Sequence, residues 1–217
     1  IKPIEISPSI FVDYLIDKPT ETHVWESQDK LVSIISFKIR PKSTVQEIIH
    51  DTDSALTYDG FPLLSNKPYN QKTYLSDLHN ASKELESSFF EQLTGEYSAA
   101  TYTNGSLTIG SNLGGSHGLY YTQNEHLIAF TNRSPLLLQL PYVSKKIDVQ
   151  TSAWKCYQGY ISTNRTPYEA IRKAPIGTIF NISKNLVVDE RKTTYQDLQS
   201  DEISEHFKSN PLQAYTE

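Results

Sequence analysis

Apolar positions recur with a helical period between residues 75 and 93. Leu78, Leu85, Phe89 and Leu93 fall on one stripe with Phe90 beside them, and Glu84, Glu86 and Glu91 face away. This predicts one long helix over 75–93, with Gly95 placed as its terminator. Upstream, 12–16 and 31–39 read as strands, and the second is β-branched and nearly continuous, as a central strand would be. Residues 54–58 read as a short strand ending at the turn dipeptide Asp59-Gly60, and 61–70, with two prolines, as a loop. Downstream, four strands are predicted between 94 and 131. Asn104-Gly105 joins the first two, because both central positions of a type I′ turn need positive φ.

Two helix starts follow. Ser134-Pro135 offers an N-cap and a first-turn proline, and Thr166-Pro167-Tyr168-Glu169 reads as a capping box opening a helix to Lys173. Residues 176–182 and 186–190 predict a last hairpin. The domain is expected to span 1–198, with 199–217 a polar linker or exit segment.

Composition narrows the classes. A net charge of −5 with no Lys/Arg block argues against a nucleic-acid partner. The longest apolar runs, 32–39 and 136–140, are far short of the ~18 residues a membrane span needs. Residues 1–9 lack the pattern of a secretory leader, so the expectation is a cytoplasmic chain, read as a fragment or processed product because it opens on Ile and has no Met. The single cysteine, Cys156, excludes a disulfide framework and reads as a small buried apolar residue. The histidines show no metal-ligand spacing, so no metal is expected. His50-Asp51 with Asp53 could pair a base with its orienter, but a surface turn is the preferred reading. The Asn-x-Ser/Thr sequons at Asn80, Asn104, Asn132, Asn164 and Asn181 are what chance gives in a chain this rich in Asn, Ser and Thr.

Two stretches carry a resemblance. Ser111-Asn112-Leu113-Gly114-Gly115-Ser116-His117-Gly118-Leu119-Tyr120-Tyr121 is a Gly-rich corner leading to the strand His126-Leu127-Ile128-Ala129-Phe130-Thr131. Thr166 to Gly177 follows a Thr-x-x-x-x-Ile-x-x-Ala-Pro-x-Gly pattern, with Tyr195 beyond. Together they resemble the glutaminase-type (class II glutamine amidotransferase) domain at the front of asparagine-synthetase and β-lactam-synthetase-like enzymes, over roughly 75–198. The resemblance implies an α+β fold: a four-layer αββα sandwich of two antiparallel sheets, Ntn-hydrolase-like.

Active members of that family use an N-terminal Cys whose own α-amine is the base. Here Ile1 stands first, so no catalytic residue is assigned unless the natural terminus lies upstream. Where the family places an oxyanion-hole Asn-Gly pair, this chain has Asp59-Gly60, a pair a plain turn explains as well. Where the family holds the glutamine amino group, it has Ser76-Asp77, which a helix cap and first-turn acid explain equally. The corner Arg-Asp becomes Ser111-Asn112, while Gly114 and Gly118 are kept, as residues without Cβ.

The preferred reading is a degenerate glutaminase-like domain supporting a synthetase domain in cis or trans, with ATP and Mg²⁺ belonging to that domain and a homodimer left open. The rivals are an active amidohydrolase whose nucleophile lies upstream of Ile1, and a free-standing β-sandwich binding module whose surface Tyr and Trp residues, such as Trp25 and Trp154, contact a glycan or peptide.

Overall fold

The computed structural model describes residues 6–12, 15, 19, 21–38, 48–114, 117–161, 163–183 and 188–192. Tyr195 and the predicted exit segment 199–217 lie outside them. In chain order the elements are helix α1 (Ser9–Val12), strands β1 (Glu21–Glu26), β2 (Ser33–Lys38), β3 (Ile49–His50) and β4 (Ser54–Leu64), and helix α2 (Tyr74–Leu85), which continues as a 3₁₀ helix over Glu86–Gln92. Then come β5 (Leu93–Thr103), β6 (Ser106–Ser111), β7 (Tyr120–Gln123), β8 (Ile128–Thr131), helices α3 (Ser134–Leu137) and α4 (Val149–Gln158), and strands β9 (Arg172–Lys173), β10 (Thr178–Ile182) and β11 (Val188–Lys192).

The fold is α+β, and the paired strands are antiparallel. The described strands make three sheets where two were expected: six strands in the order β11-β10-β6-β5-β4-β3, three in the order β8-β7-β9, and the pair β1-β2. The register sorts the six-stranded sheet into two faces. Leu56, Tyr58, Tyr97, Ala99 and Ile179 share one face and pack on Leu78 of α2 and on Phe89 and Phe90 of the 3₁₀ helix. The other face is covered twice. Ala55 and Tyr102 meet Trp25 and Ile34 of the β1-β2 pair, and Ile109, Phe180 and Ile182 meet Leu119, Tyr121, Ile128 and Phe130 around the three-stranded sheet. A further apolar cluster joins α1 and α3 to Ile35, Phe37, Tyr120 and Ala129.

Several sequence expectations are corrected. Val12 closes α1 instead of opening a strand. β2 belongs to a two-stranded sheet and is not central, and its partner β1 was not anticipated. The strand at 54–58 does not stop at Asp59-Gly60: β4 runs on through both, and through Pro62, to Leu64, paired with β5 throughout. Gly60 and Gly95 take φ of +93° and +90° inside this ladder, so positive φ serves a distorted strand here and not a turn.

The helix of 75–93 breaks at Glu86, whose φ is +47°, and Leu93 already belongs to β5. Ser134 is the first residue of α3 and makes no cap. The capping box at Thr166 opens no helix. Its hydroxyl lies 2.9 Å from the Ile171 carbonyl and 3.1 Å from that of Tyr168, and it accepts from the Tyr168 N–H, bracing a loop instead. The hairpin at Asn104-Gly105 is as predicted, with φ of +53° and +80°.

Candidate functional site

The register sets Asp59 of β4 opposite Ser98 of β5, and Ser98 opposite Ser111 at the end of β6. These three polar side chains form a row on the sheet face that receives the smaller sheets, and Ser98 and Ser111 are buried. Two residues from beyond the sheet close on this row. His117, in the Gly-rich corner, donates from Nδ1 to Asp59 Oδ2 at 3.1 Å, and Asn132, just after β8, donates from Nδ2 to the same oxygen at 3.0 Å. One carboxylate oxygen thus ties the central sheet to the layer above it. A Cβ on Gly60 would run into the Glu96 carbonyl and come within 2.8 Å of His117 Nε2, so the imidazole is seated directly against backbone.

Of the predicted site residues, Asp59, Gly60, Ser111 and Asn112 are gathered here. Asn112 is buried beside Ser111, and its N–H donates to the Tyr97 carbonyl at 3.0 Å. A Cβ on Gly114 would sit 3.0 Å from Asn112 Nδ2, a tight contact that a small shift of that side chain would relieve. At Gly118 the same atom would meet only ordinary contact with Tyr120, so that glycine is not demanded by space. Ser76 and Asp77 are elsewhere: they belong to α2, which packs on the opposite face of the sheet. Ser76 is neither an N-cap nor free, since its hydroxyl donates to the Thr73 carbonyl. Asp77 accepts from Lys67 Nζ at 2.6 Å and from the Thr73 hydroxyl at 2.7 Å. The Lys67 bond, then the Thr73 bond, hold its carboxyl below the usual carboxylate range.

His117 and Asn132 were not singled out from the sequence. His117 lay inside the corner motif, and the only available signal was a histidine among glycines.

Chemically, an Asp-His pair supplies the orienter and the base of a nucleophilic triad. Among the described residues, however, no hydroxyl or thiol is hydrogen-bonded to His117 Nε2. A second Ser-His contact exists, with Ser54 Oγ 2.8 Å from His79 Nε2, but the Ser54 hydroxyl donates to Asp51 Oδ1 at 2.8 Å. The serine must therefore accept from the imidazole, the reverse of activation. Asp51 itself caps the turn by accepting from the N–H groups of Asp53 and Ser54, as the turn reading required. Burial works to raise its pKa, but the Ser54, Lys83 and backbone hydrogen bonds win and hold it far below the ordinary range. The described residues contain no group of three His, Cys, Asp or Glu arranged for a metal, and no helix long and apolar enough to cross a membrane.

Two further expectations fail. Cys156 is exposed on α4, because the helix turns that face to solvent. Trp25 is 6% exposed and belongs to the core, whereas Trp154 is 52% exposed.

No family model matches the chain, and no curated protein matches it. A glutamine phosphoribosylpyrophosphate amidotransferase from B. subtilis, solved in complex with ADP and GMP, is similar in structure at a TM-score of 0.41 and 8% identity, over 74% of this chain. The chain spans only 34% of that protein's length.

Proposed function

We propose that this chain is a non-hydrolytic glutaminase-like domain of the αββα type, and that its work is to pack on an ATP-dependent, amide-forming synthetase domain and shape access to it. The motif resemblance over 75–198 supports the family reading. The layer order agrees with it, with α2 outside one face of the large sheet and α1 and α3 outside the smaller sheets. ATP and Mg²⁺ would be held by the synthetase domain, in cis or trans.

The observation that carries the loss of hydrolysis is Asp59. In the resemblance this position holds an oxyanion-stabilising amide. Here it is a carboxylate fixed from two sides by His117 and Asn132. A tetrahedral intermediate formed next to it would meet a negative charge where a donor is needed. In a serine protease, removing a single oxyanion donor costs about 10²–10³ in turnover, and a like charge at such a position is worse than an absence. Incubating the purified chain with glutamine and measuring glutamate should give no release above the blank. Release that scales with protein concentration and disappears on thiol alkylation would overturn the proposal.

A further inference from the structure

A cavity of about 290 Å³ opens beside α4, and none of the Asp59 row lines it. Gln150, Trp154 and Gln158 lie at i, i+4 and i+8 and so share the helix face that forms one wall. Gly159, with φ of +78°, ends the helix and turns the chain, and Tyr160 and Thr163 beyond it also line the cavity. Thr151, Ile161 and Arg165 complete the lining, and Arg165 carries its only charge. It donates from Nη2 to Asp148 Oδ2 at 2.7 Å and from Nη1 to Gln150 Oε1 at 3.3 Å, and its Nε is buried without a partner. Asp148 is itself fixed as the N-cap of α4 by the N–H and hydroxyl of Thr151. The guanidinium is thus locked in place, and its charge is already matched.

We propose that this cavity binds a neutral saccharide unit. The lining pairs two half-exposed aromatic rings with side-chain amides and a hydroxyl, and it offers no unmatched charge. An anionic ligand would have to compete with Asp148 for Arg165, and a cation finds no free carboxylate. A purely apolar ligand would strand the amides. What fits is a molecule with an apolar C–H face to lie on Trp154 and a rim of hydroxyls for Gln150, Gln158 and Thr163. The volume lies at the small end of ligand clefts, roughly 300–1,000 Å³, and suits one ring more than a chain. The inference does not depend on the glutaminase-like reading.

The test is saturation-transfer NMR and calorimetry on the whole chain, with glucose, galactose, mannose and N-acetylglucosamine, their common disaccharides, and glucuronate as the anionic arm. The expected result is saturable binding of at least one neutral sugar, insensitive to salt and weakened by about tenfold or more in Trp154→Ala, with Trp154→Phe partly restored because it keeps a ring. Gln158→Ala, on an exposed helix position, serves as the second variant should Trp154→Ala melt early. Saturable binding by none of the sugars would overturn the proposal. So would full-strength binding in Trp154→Ala, or a preference for glucuronate that salt abolishes. Self-association that Trp154→Ala relieves, without sugar binding, would assign the surface to a protein contact instead.

Discussion

Helices α2 and α4 are of similar length and are held in opposite ways. α2 follows Thr73, an N-cap residue that makes no side-chain cap, but it buries Leu78, His79 and Ser82 on the side of the large sheet. α4 is capped at both ends, by Asp148 and by left-handed Gly159, and of its own residues it buries only Thr151. An isolated helix of about ten residues is marginal in water. One can therefore be kept by tertiary burial with a bare end, or by complete ends with a bare face. The second arrangement leaves Trp154, Tyr157 and Cys156 on the surface, where they are free to meet something other than the core.

The sharpest way to break this contrast is a paired substitution. Leu78 is 1% exposed, and Leu78→Ala should cost about 2–5 kcal/mol in chemical denaturation, from lost transfer energy plus the cavity left behind. Trp154→Ala should change stability by no more than about 0.5 kcal/mol. Equal costs would mean that α4 is anchored by its face after all.

Acid should separate the two helices next. Burial holds the His79 imidazole below its ordinary value, Lys83 adds to this, and Asp51 opposes it. The folded state therefore keeps His79 neutral while the unfolded chain takes up a proton, so this stability is complete above about pH 6.5 and declines as pH falls toward the lower folded value. Asp148 is held below the carboxylate range first by the Thr151 N–H, against burial, and then by the Thr151 hydroxyl and Arg165. Its contribution is present above about pH 4 and is lost only as pH falls through the folded value. Thermal melts between pH 8 and 3 should show the earlier decline in the native chain and not in His79→Gln, which keeps a donor for Ser54. A native profile flat from pH 7 to 5 would contradict this.

The smallest effect concerns Cys156. It should react with a soluble disulfide reagent at the rate of a free thiol without prior unfolding, and Cys156→Ala should shift stability by less than about 0.5 kcal/mol. Slow, unfolding-limited labelling would mean that this face of α4 is covered.

What the sequence disclosed was mostly local. The Asn104-Gly105 hairpin needs only its own two residues to adopt positive φ, and it was legible. Asp59-Gly60 carries the same kind of signal and misled, because β5 supplies a ladder partner for every residue from Ser54 to Leu64 and pairing across the chain outweighs a turn preference. Thr166 misled similarly: its hydroxyl found carbonyls at Tyr168 and Ile171 in place of a helix start. The candidate site was half legible. Asp59 and Ser111 were named through the resemblance, but they meet His117 and Asn132 only because the register and the packing of the smaller sheets bring them together. The Asp148 cap carries a local signal too, an Asp just before α4 whose carboxylate accepts from the Thr151 N–H.

The distortion in β4 also bears on how readily this edge would pair with a strand from another copy. Among the described residues, β4 is eleven residues long, yet β3 covers its outer edge only at Ala55 and Leu56. A long uncovered edge invites a strand from another molecule and, from there, aggregation. Pro62 has no N–H to offer such a strand, and its carbonyl already accepts from the Tyr74 hydroxyl at 2.5 Å. At that residue the edge presents no donor, and its acceptor is already engaged. Two residues upstream, the positive φ of Gly60 takes the backbone out of regular pleat. Gly60, which looked like the end of a strand, and Pro62 thus make its exposed end a poor template.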